Sequence, residues 1–224
     1  AETDKVPSNC AVLVIAGPRT NPDPTEIAAI DAYLARGGAV LALFDPPTPQ
    51  GWQDWLVQFK VWLSGGVLIS ADKGGAQFGT GPRAVVITDG YGQHEIAAPL
   101  RGVSTLFPLS QAIGVVGDQE GRVMGDLLLV TSELSWVERD PGSMYSGIPT
   151  FDRGVDIAGP HPLAVVMEVH QPSSEADPAA KEKATVPGRV VVVGNSEFLS
   201  NSNLNLGGNR DLMLNMLGWL AREE

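Results

Sequence analysis

The sequence predicts an α/β fold: a mostly parallel central sheet flanked by helices, with a β-rich middle insertion at about 83–170, all in one domain over 1–224. Three observations carry that expectation. Unbroken apolar runs at 11–16 (AVLVIA), 40–44 (VLALF) and 190–193 (VVVV) read as strands buried on both faces. A helical pattern with Ile27, Ile30 and Leu34 on one face separates the first two runs, which makes a βαβ unit with a right-handed crossover. The chain then ends in a further helical pattern at 208–222, beyond the last run.

The first strand is stopped by Gly17-Pro18, and a helix is predicted over 25–36 with Gly37-Gly38 as its C-terminal stop. The second strand ends at Asp45-Pro46-Pro47. Residues 52–63 read as a helix, because Trp55, Leu56, Phe59 and Leu63 fall at i, i+1, i+4 and i+8. A short strand at 67–70, a Gly-rich turn at 73–82 and a strand at 84–88 follow. Sheet is expected at 106–116 and 127–131, and irregular structure at 136–156. Strands are predicted at 163–169 and 190–193, separated by a polar loop or hairpin tip at 171–189. The last helix is predicted over 208–222, with Leu212, Met216 and Leu220 on one face and Asn209 as N-cap.

Composition narrows the function. Lys and Arg number 15 against 26 Asp and Glu, a net charge of −11. That argues against a nucleic-acid footprint and against docking of the domain surface on anionic lipid. Glycine (26) and proline (17) make up about a fifth of the chain, well above the usual share, which predicts many turns and short elements. Cys10 is the single cysteine, so no internal disulfide forms and either redox compartment is open. No run approaches the ~18 apolar residues that span a bilayer. The N-terminus AETDKVPSN is polar and lacks both a signal peptide and an initiator Met, as expected of a processed protein or an excised fragment without its membrane anchors.

Ligands of open α/β sheets bind beyond the carboxyl ends of strands. Asp45 and the run Asn195-Ser196-Glu197 both follow buried strands, so they are candidates for one crevice. The competing reading is that Asp45 and Ser196 brace turns. Gly207-Gly208-Asn209-Arg210 leads into the last helix, whose N-terminus beside Arg210 suits an anion; the alternative is a loop and an N-cap. Asn209 and Arg210 therefore either line the crevice or brace it from behind.

No catalytic set emerges. The motif around Ser196 departs from the nucleophile elbow G-x-S-x-G, because Phe198 stands where the second glycine belongs. Cys10 precedes a strand, whereas an amidotransferase-type nucleophile follows one. His94, His161 and His170 show no zinc-ligand spacing, and Gly74, Gly75, Gly79 and Gly81 form no phosphate-binding motif. No metal or cofactor is expected. The tryptophans fit core packing, except Trp136, which is placed to line a groove.

Several segments together resemble a known family. The opening VPSNCAVLVIAGPRTNPDPTEIAAIDAYLARGGAVLALFDP is similar to its strand, Gly-Pro turn, "I-x-x-Y-L-x-x-G-G" helix, strand and Asp-Pro. The closing VVVVGNSEFLSNSNLNLGGNRDLMLNMLGWLAREE resembles its "G-(D/N)-S-x-F-x-x-N … G-N-x-x-L-x-x-N-x-x-x-W-L" ending. The segments 91–96, 107–109 and Thr131-Ser132 with Trp136 match in order between them. The family is that of the soluble domain of GldG-type gliding-motility and ABC-transporter auxiliary proteins, related to an intraflagellar-transport-like domain. The resemblance implies a flavodoxin-like or class I glutamine-amidotransferase-like sheet that is not an enzyme. It implies a place on the extracytoplasmic, periplasmic face of a membrane, with an ABC permease and its ATPase as partners. One departure is Asn195, where the family commonly has Asp; a charge or metal role of that Asp would be lost here.

The expected function is thus a non-catalytic extracytoplasmic auxiliary domain of an ABC-type transport or motility complex. It would act by protein–protein contact or by capturing a polymer or peptide in the crevice. The alternatives are a hydrolase or amidotransferase-like enzyme using Ser196, and a sugar- or anion-binding domain.

Overall fold

The expected N-terminal unit forms as β1 (Leu13–Ala16), α1 (Pro24–Ala35) and β2 (Ala39–Leu43). The computed structural model describes residues 5–116, 123–170 and 186–223. Helix α1 starts where Asp23 and Glu26 make a reciprocal capping box. The Thr25 N–H and hydroxyl donate to Asp23 and hold its carboxyl below the usual range. β12 (Gly188–Val193) lies parallel to β2 on the side opposite β1.

The central sheet has five strands in the order β1-β2-β12-β11-β8, with β11 at Pro162–Val169 and β8 at Val123–Val130. Its first three strands are parallel, but β11 runs antiparallel to both β12 and β8. The sheet is therefore mixed, and the expectation of a mostly parallel sheet is corrected. An apolar run reports burial on two faces but carries no signal of strand direction. β8 and β11 also complete the central sheet, so the stretch 83–170 is not an insertion apart from it.

Burial on both faces explains the unbroken runs, because successive strand residues point to opposite sides. Val40, Ala42, Val190 and Val192 pack against Ile30 and Leu34 of α1 and against Trp52, Trp55 and Leu56. Leu41, Leu43, Val191 and Val193 pack on the other face against Leu212, Met216 and Leu220 of α4 (Asn209–Ala221).

Four further predictions are corrected. The predicted helix 52–63 is α2 (Gln50–Val57) followed by β3 (Val61–Leu63). The chain turns at Lys60, whose φ is +58°, and β3 then pairs with β7 (Ile113–Val115). Phe59 and Leu63 are buried as the helical pattern requires, but alternation from Phe59 through Val61 to Leu63 satisfies a strand equally. The stretch 106–116 is two strands, β6 (Thr105–Pro108) and β7, separated by a turn with Leu109 at φ +50°. The stretch 136–156 is less irregular than expected. β9 (Ser135–Glu138) opens it and α3 (Pro141–Met144) follows. β9 pairs with β4 (Val67–Ser70) and β10 (Ile157–Ala158), while β5 (Ala84–Ile87) pairs with β6. Finally, the Gly-rich turn contains a 3₁₀ helix at Lys73–Phe78. Most of the predicted loop 171–189 lies outside the described residues. Among the described residues, no helix is long and apolar enough to cross a membrane.

Candidate functional site: a cleft at the strand ends

β1, β2 and β12 are adjacent and parallel, so their carboxyl ends open on the same side of the sheet. Gly17 N–H donates to Leu43 O, and Phe44 N–H to Val193 O, which sets Gly17, Asp45 and Asn195 close together just past the sheet. Here the two separate sequence candidates meet. Asp45 Oδ1 accepts from Ser196 N–H at 2.6 Å and from Asn195 Nδ2 at 3.5 Å, and Oδ2 accepts from Ser196 Oγ at 2.5 Å. The Asp45 side chain is nearly buried, so these charge-assisted bonds count for more than they would in water. Arg19 lies 3.9 Å from Oδ2, but its side chain is 68% exposed, and such a pair adds little.

Asn195 is fully buried and makes two kinds of bond. Its Oδ1 accepts from Phe198 N–H at 2.8 Å and its Nδ2 donates to Pro108 O at 2.6 Å. An Asp at this position could accept from Phe198 but could not donate to the Pro108 carbonyl when ionised. The amide thus joins the turn after β12 to β6.

Three further residues belong to the cluster. A Cβ on Gly17, whose φ is +54°, would stand 2.7 Å from Ser196 Oγ and 2.8 Å from Asp45 Oδ2, so glycine leaves room for the pair. Gly17→Ala is expected to lower stability by about 1–3 kcal/mol through strain and displacement of Ser196. A urea-unfolding midpoint equal to wild type would show that the pair does not need this space. Gln111 is fully buried: its Nε2 donates to Phe44 O at 3.0 Å and to Thr48 Oγ1 at 2.8 Å, and Thr48 donates to Asp45 O at 2.9 Å. Sequence reasoning missed all three. The Gly-Pro stop marked Gly17 only as a turn, while a lone Gln inside the apolar stretch 106–116 was a usable signal.

The cleft itself encloses about 520 Å³ and is lined by Arg19, Asp45, Pro46, Leu109, Tyr145 and Glu197, among others. One wall is the loop after α3. Tyr145 hydroxyl donates to Pro46 O at 3.3 Å. Arg83 holds α3 and that loop together by donating to the carbonyls of Ser143 at 2.6 Å and Met144 at 2.8 Å in the helix, and of Gly147 at 3.1 Å and Ser146 in the loop.

Of the six predicted crevice residues, Asp45 and Glu197 line the cleft, and Asn195 and Ser196 brace Asp45 beneath it. Asn209 and Arg210 do not line it. Gly208, not Asn209, occupies the N-cap of α4. Asn209 is fully buried: its Oδ1 accepts from Leu106 N–H at 2.8 Å, and its Nδ2 donates to Leu106 O, Phe198 O and Asn203 O. It supports the turn that carries Ser196 from behind. Arg210 is exposed on the first turn of α4.

Ser196 has a carboxylate, not an imidazole, as its partner. His161 Nε2 lies 3.0 Å from Ile157 O. His94 packs edge-on against Trp219 with ring centroids 5.0 Å apart, and burial pushes its pKa below the usual value. Trp136, expected in a groove, instead packs with Val67 and Ile69 in the small sheet. Among the described residues, no group of three or more His, Cys, Asp or Glu side chains could hold a metal ion.

No family model matches the chain, and no curated protein matches it in sequence. Among solved structures, the chain is similar to one described as the mmIFT52 N-terminal domain. That likeness has a TM-score of 0.66 at 15% identity and covers 96% of this chain and 78% of the other. A putative thua-like protein from Bacteroides uniformis aligns over 96% of this chain and 70% of its own at 14% identity, with a TM-score of 0.45. At this identity the first likeness establishes the fold alone, and the second carries no argument.

Proposed function

We propose that this chain is a non-catalytic auxiliary domain of a GldG-type gliding-motility or ABC-type transport complex. It would work on the extracytoplasmic, periplasmic side of the membrane. The observation that carries the non-catalytic part is the state of the strand-end cluster. Among the described residues just past the parallel strands β1, β2 and β12, Ser196 is the nucleophile candidate that the sequence singles out, and its hydroxyl and backbone N–H are both committed to Asp45. A serine nucleophile needs a base that takes its proton and an orienting group behind that base. Asp45 instead has its oxygens occupied by the Ser196 turn, which suits a brace beneath a binding cleft. The fold of the mmIFT52 N-terminal domain agrees with the intraflagellar-transport-like side of the sequence resemblance. The transport side rests on the ordered opening and closing motifs.

In this reading the cleft takes a partner's peptide segment. Pro46, Pro47, Pro108, Leu109 and Tyr145 supply apolar surface, and Arg19 and Glu197 supply charge of both signs at its rim. Crosslinking of the full-length protein in native membranes, followed by mass spectrometry, tests the assignment. Recovery of an ABC permease with its ATPase is expected. A membrane preparation that yields no transporter subunits would overturn it.

A further inference from the structure

The two edges of the central sheet are finished differently. At one edge the carboxyl half of β8 is covered: Val130 N–H donates to Gly90 O, Gly92 N–H donates to Leu128 O, and Tyr91 bridges to Leu129. Asp126 adds a charge to the same strand. At the other edge, β1 pairs with β2 alone. Gly17 N–H donates to Leu43 O, so in this parallel ladder residues 13, 15 and 17 bond to β2, while Val12, Val14 and Ala16 turn their N–H and C=O groups outward. Among the described residues, nothing donates to or accepts from those outward groups. Charge, proline and bulges are devices that keep an exposed edge from pairing. Residues 6–18 hold no charge, and β1 has neither a proline nor a bulge.

The side chains along this edge are apolar on both faces. Leu13 and Ile15 pack in the cluster that holds α1 and α2. Val12 and Val14 point to the opposite face, where Val12 and Leu217 of α4 sit partly buried at the border of the core and Val14 is 45% exposed. We infer that β1 accepts a further β-strand: an extended, uncharged partner segment, apolar at alternate residues, that bonds to the outward groups of Val12, Val14 and Ala16 and covers Val14. The ladder decides the backbone of the occupant, because an extended chain presents N–H and C=O groups at the spacing of the strand itself. The apolar border decides its side chains, since a charge laid on Val12 and Val14 would lose water without gaining a partner. The segment comes from outside residues 1–224. Residues 1–4, 117–122 and 171–185, which lie outside the described residues, each carry at least two charges and do not match that chemistry. β1 ends at Gly17, against Asp45 and Ser196, so the added strand would run along the margin of the cleft.

Hydrogen exchange on the full-length protein in native membranes, read residue by residue by mass spectrometry, tests this whatever complex the protein belongs to. The amides of Leu13 and Ile15 bond to β2 in any case and serve as the internal standard. With the strand in place, the Val14 and Ala16 amides are expected to exchange within about tenfold of that standard, as members of one ladder do. A bare edge would leave them about 100-fold faster or more, because no opening has to precede exchange. Val14→Lys puts a charge on the edge and is expected to release the Ala16 amide to the fast rate. Leu13 and Ile15 should stay slow, which shows that the variant folds. Val57→Lys, at a 61% exposed position on α2, should change none of these rates. A photo-crosslinker at position 14 reads the occupant, and adducts are expected on an uncharged apolar segment outside residues 1–224. Three results would overturn the inference: fast exchange of Val14 and Ala16 in the wild-type protein, an Ala16 rate that V14K leaves unchanged, or crosslinks that join β1 to β1 of a second copy.

Discussion

Asn209→Ala is expected to lower unfolding stability by about 3 kcal/mol, one of the two largest effects of any single change around the cleft. The amide is fully buried and makes four hydrogen bonds, to Leu106 N–H and to the carbonyls of Leu106, Phe198 and Asn203. Alanine leaves those backbone groups without partners away from water, at about 1–3 kcal/mol for each group that cannot find another. For a chain of this length the melting temperature should fall by roughly 6–12 °C. The paired control is Arg210→Ala, an exposed neighbour expected to change stability by less than about 0.5 kcal/mol. Urea titration reads both through the midpoint at constant slope. Equal small effects at the two positions would remove Asn209 as a brace and return it to the role of a helix-terminal ligand group.

The second large effect is expected at Asp45. Asp45→Ala removes the acceptor for Ser196 N–H, Ser196 Oγ and Asn195 Nδ2 at a site that is 8% exposed. A loss of about 2–4 kcal/mol follows, since hydrogen bonds to a charged group are worth about 1.5–3 kcal/mol and the Ser196 N–H is stranded. Asp45→Asn should cost less, about 1 kcal/mol, because an amide oxygen can still accept from Ser196 N–H while the hydroxyl turns to accept from the amide nitrogen. The ordering of alanine below asparagine below wild type is the signature of a brace. A stable D45A protein that lost its crosslinks in native membranes would instead make Asp45 a direct partner contact. Two variants of equal stability and normal crosslinking would leave the Asp45–Ser196 pair without a role.

The two halves of this site were unequally legible. Asp45 and the run Asn195-Ser196-Glu197 were visible because each follows an apolar strand, and a strand end is a place the chain can be located without coordinates. Their pairing required β2 and β12 to be neighbours, which Leu43↔Val193 establishes across 150 residues of chain. Asn209 was misread because its local sequence fits an N-cap, while its amide serves carbonyls from two other segments. Gln111 and the Arg83 grip on the loop after α3 depend on contacts that no spacing encodes. Tyr145 entered the cleft wall by the same route.

By itself the sequence determined what local physics determines. Apolar runs located β1, β2, β11 and β12, and the 3.6-residue pattern located α1 and α4. Those features depend on residues a few positions apart. The tertiary structure alone decided strand direction, the break of the predicted helix 52–63 into α2 and β3, and the joining of Asp45 to Ser196. Each of these is settled by partners far away in sequence. A valine run is equally buried in either direction, and Phe59 and Leu63 satisfy either period until β7 arrives to pair with β3.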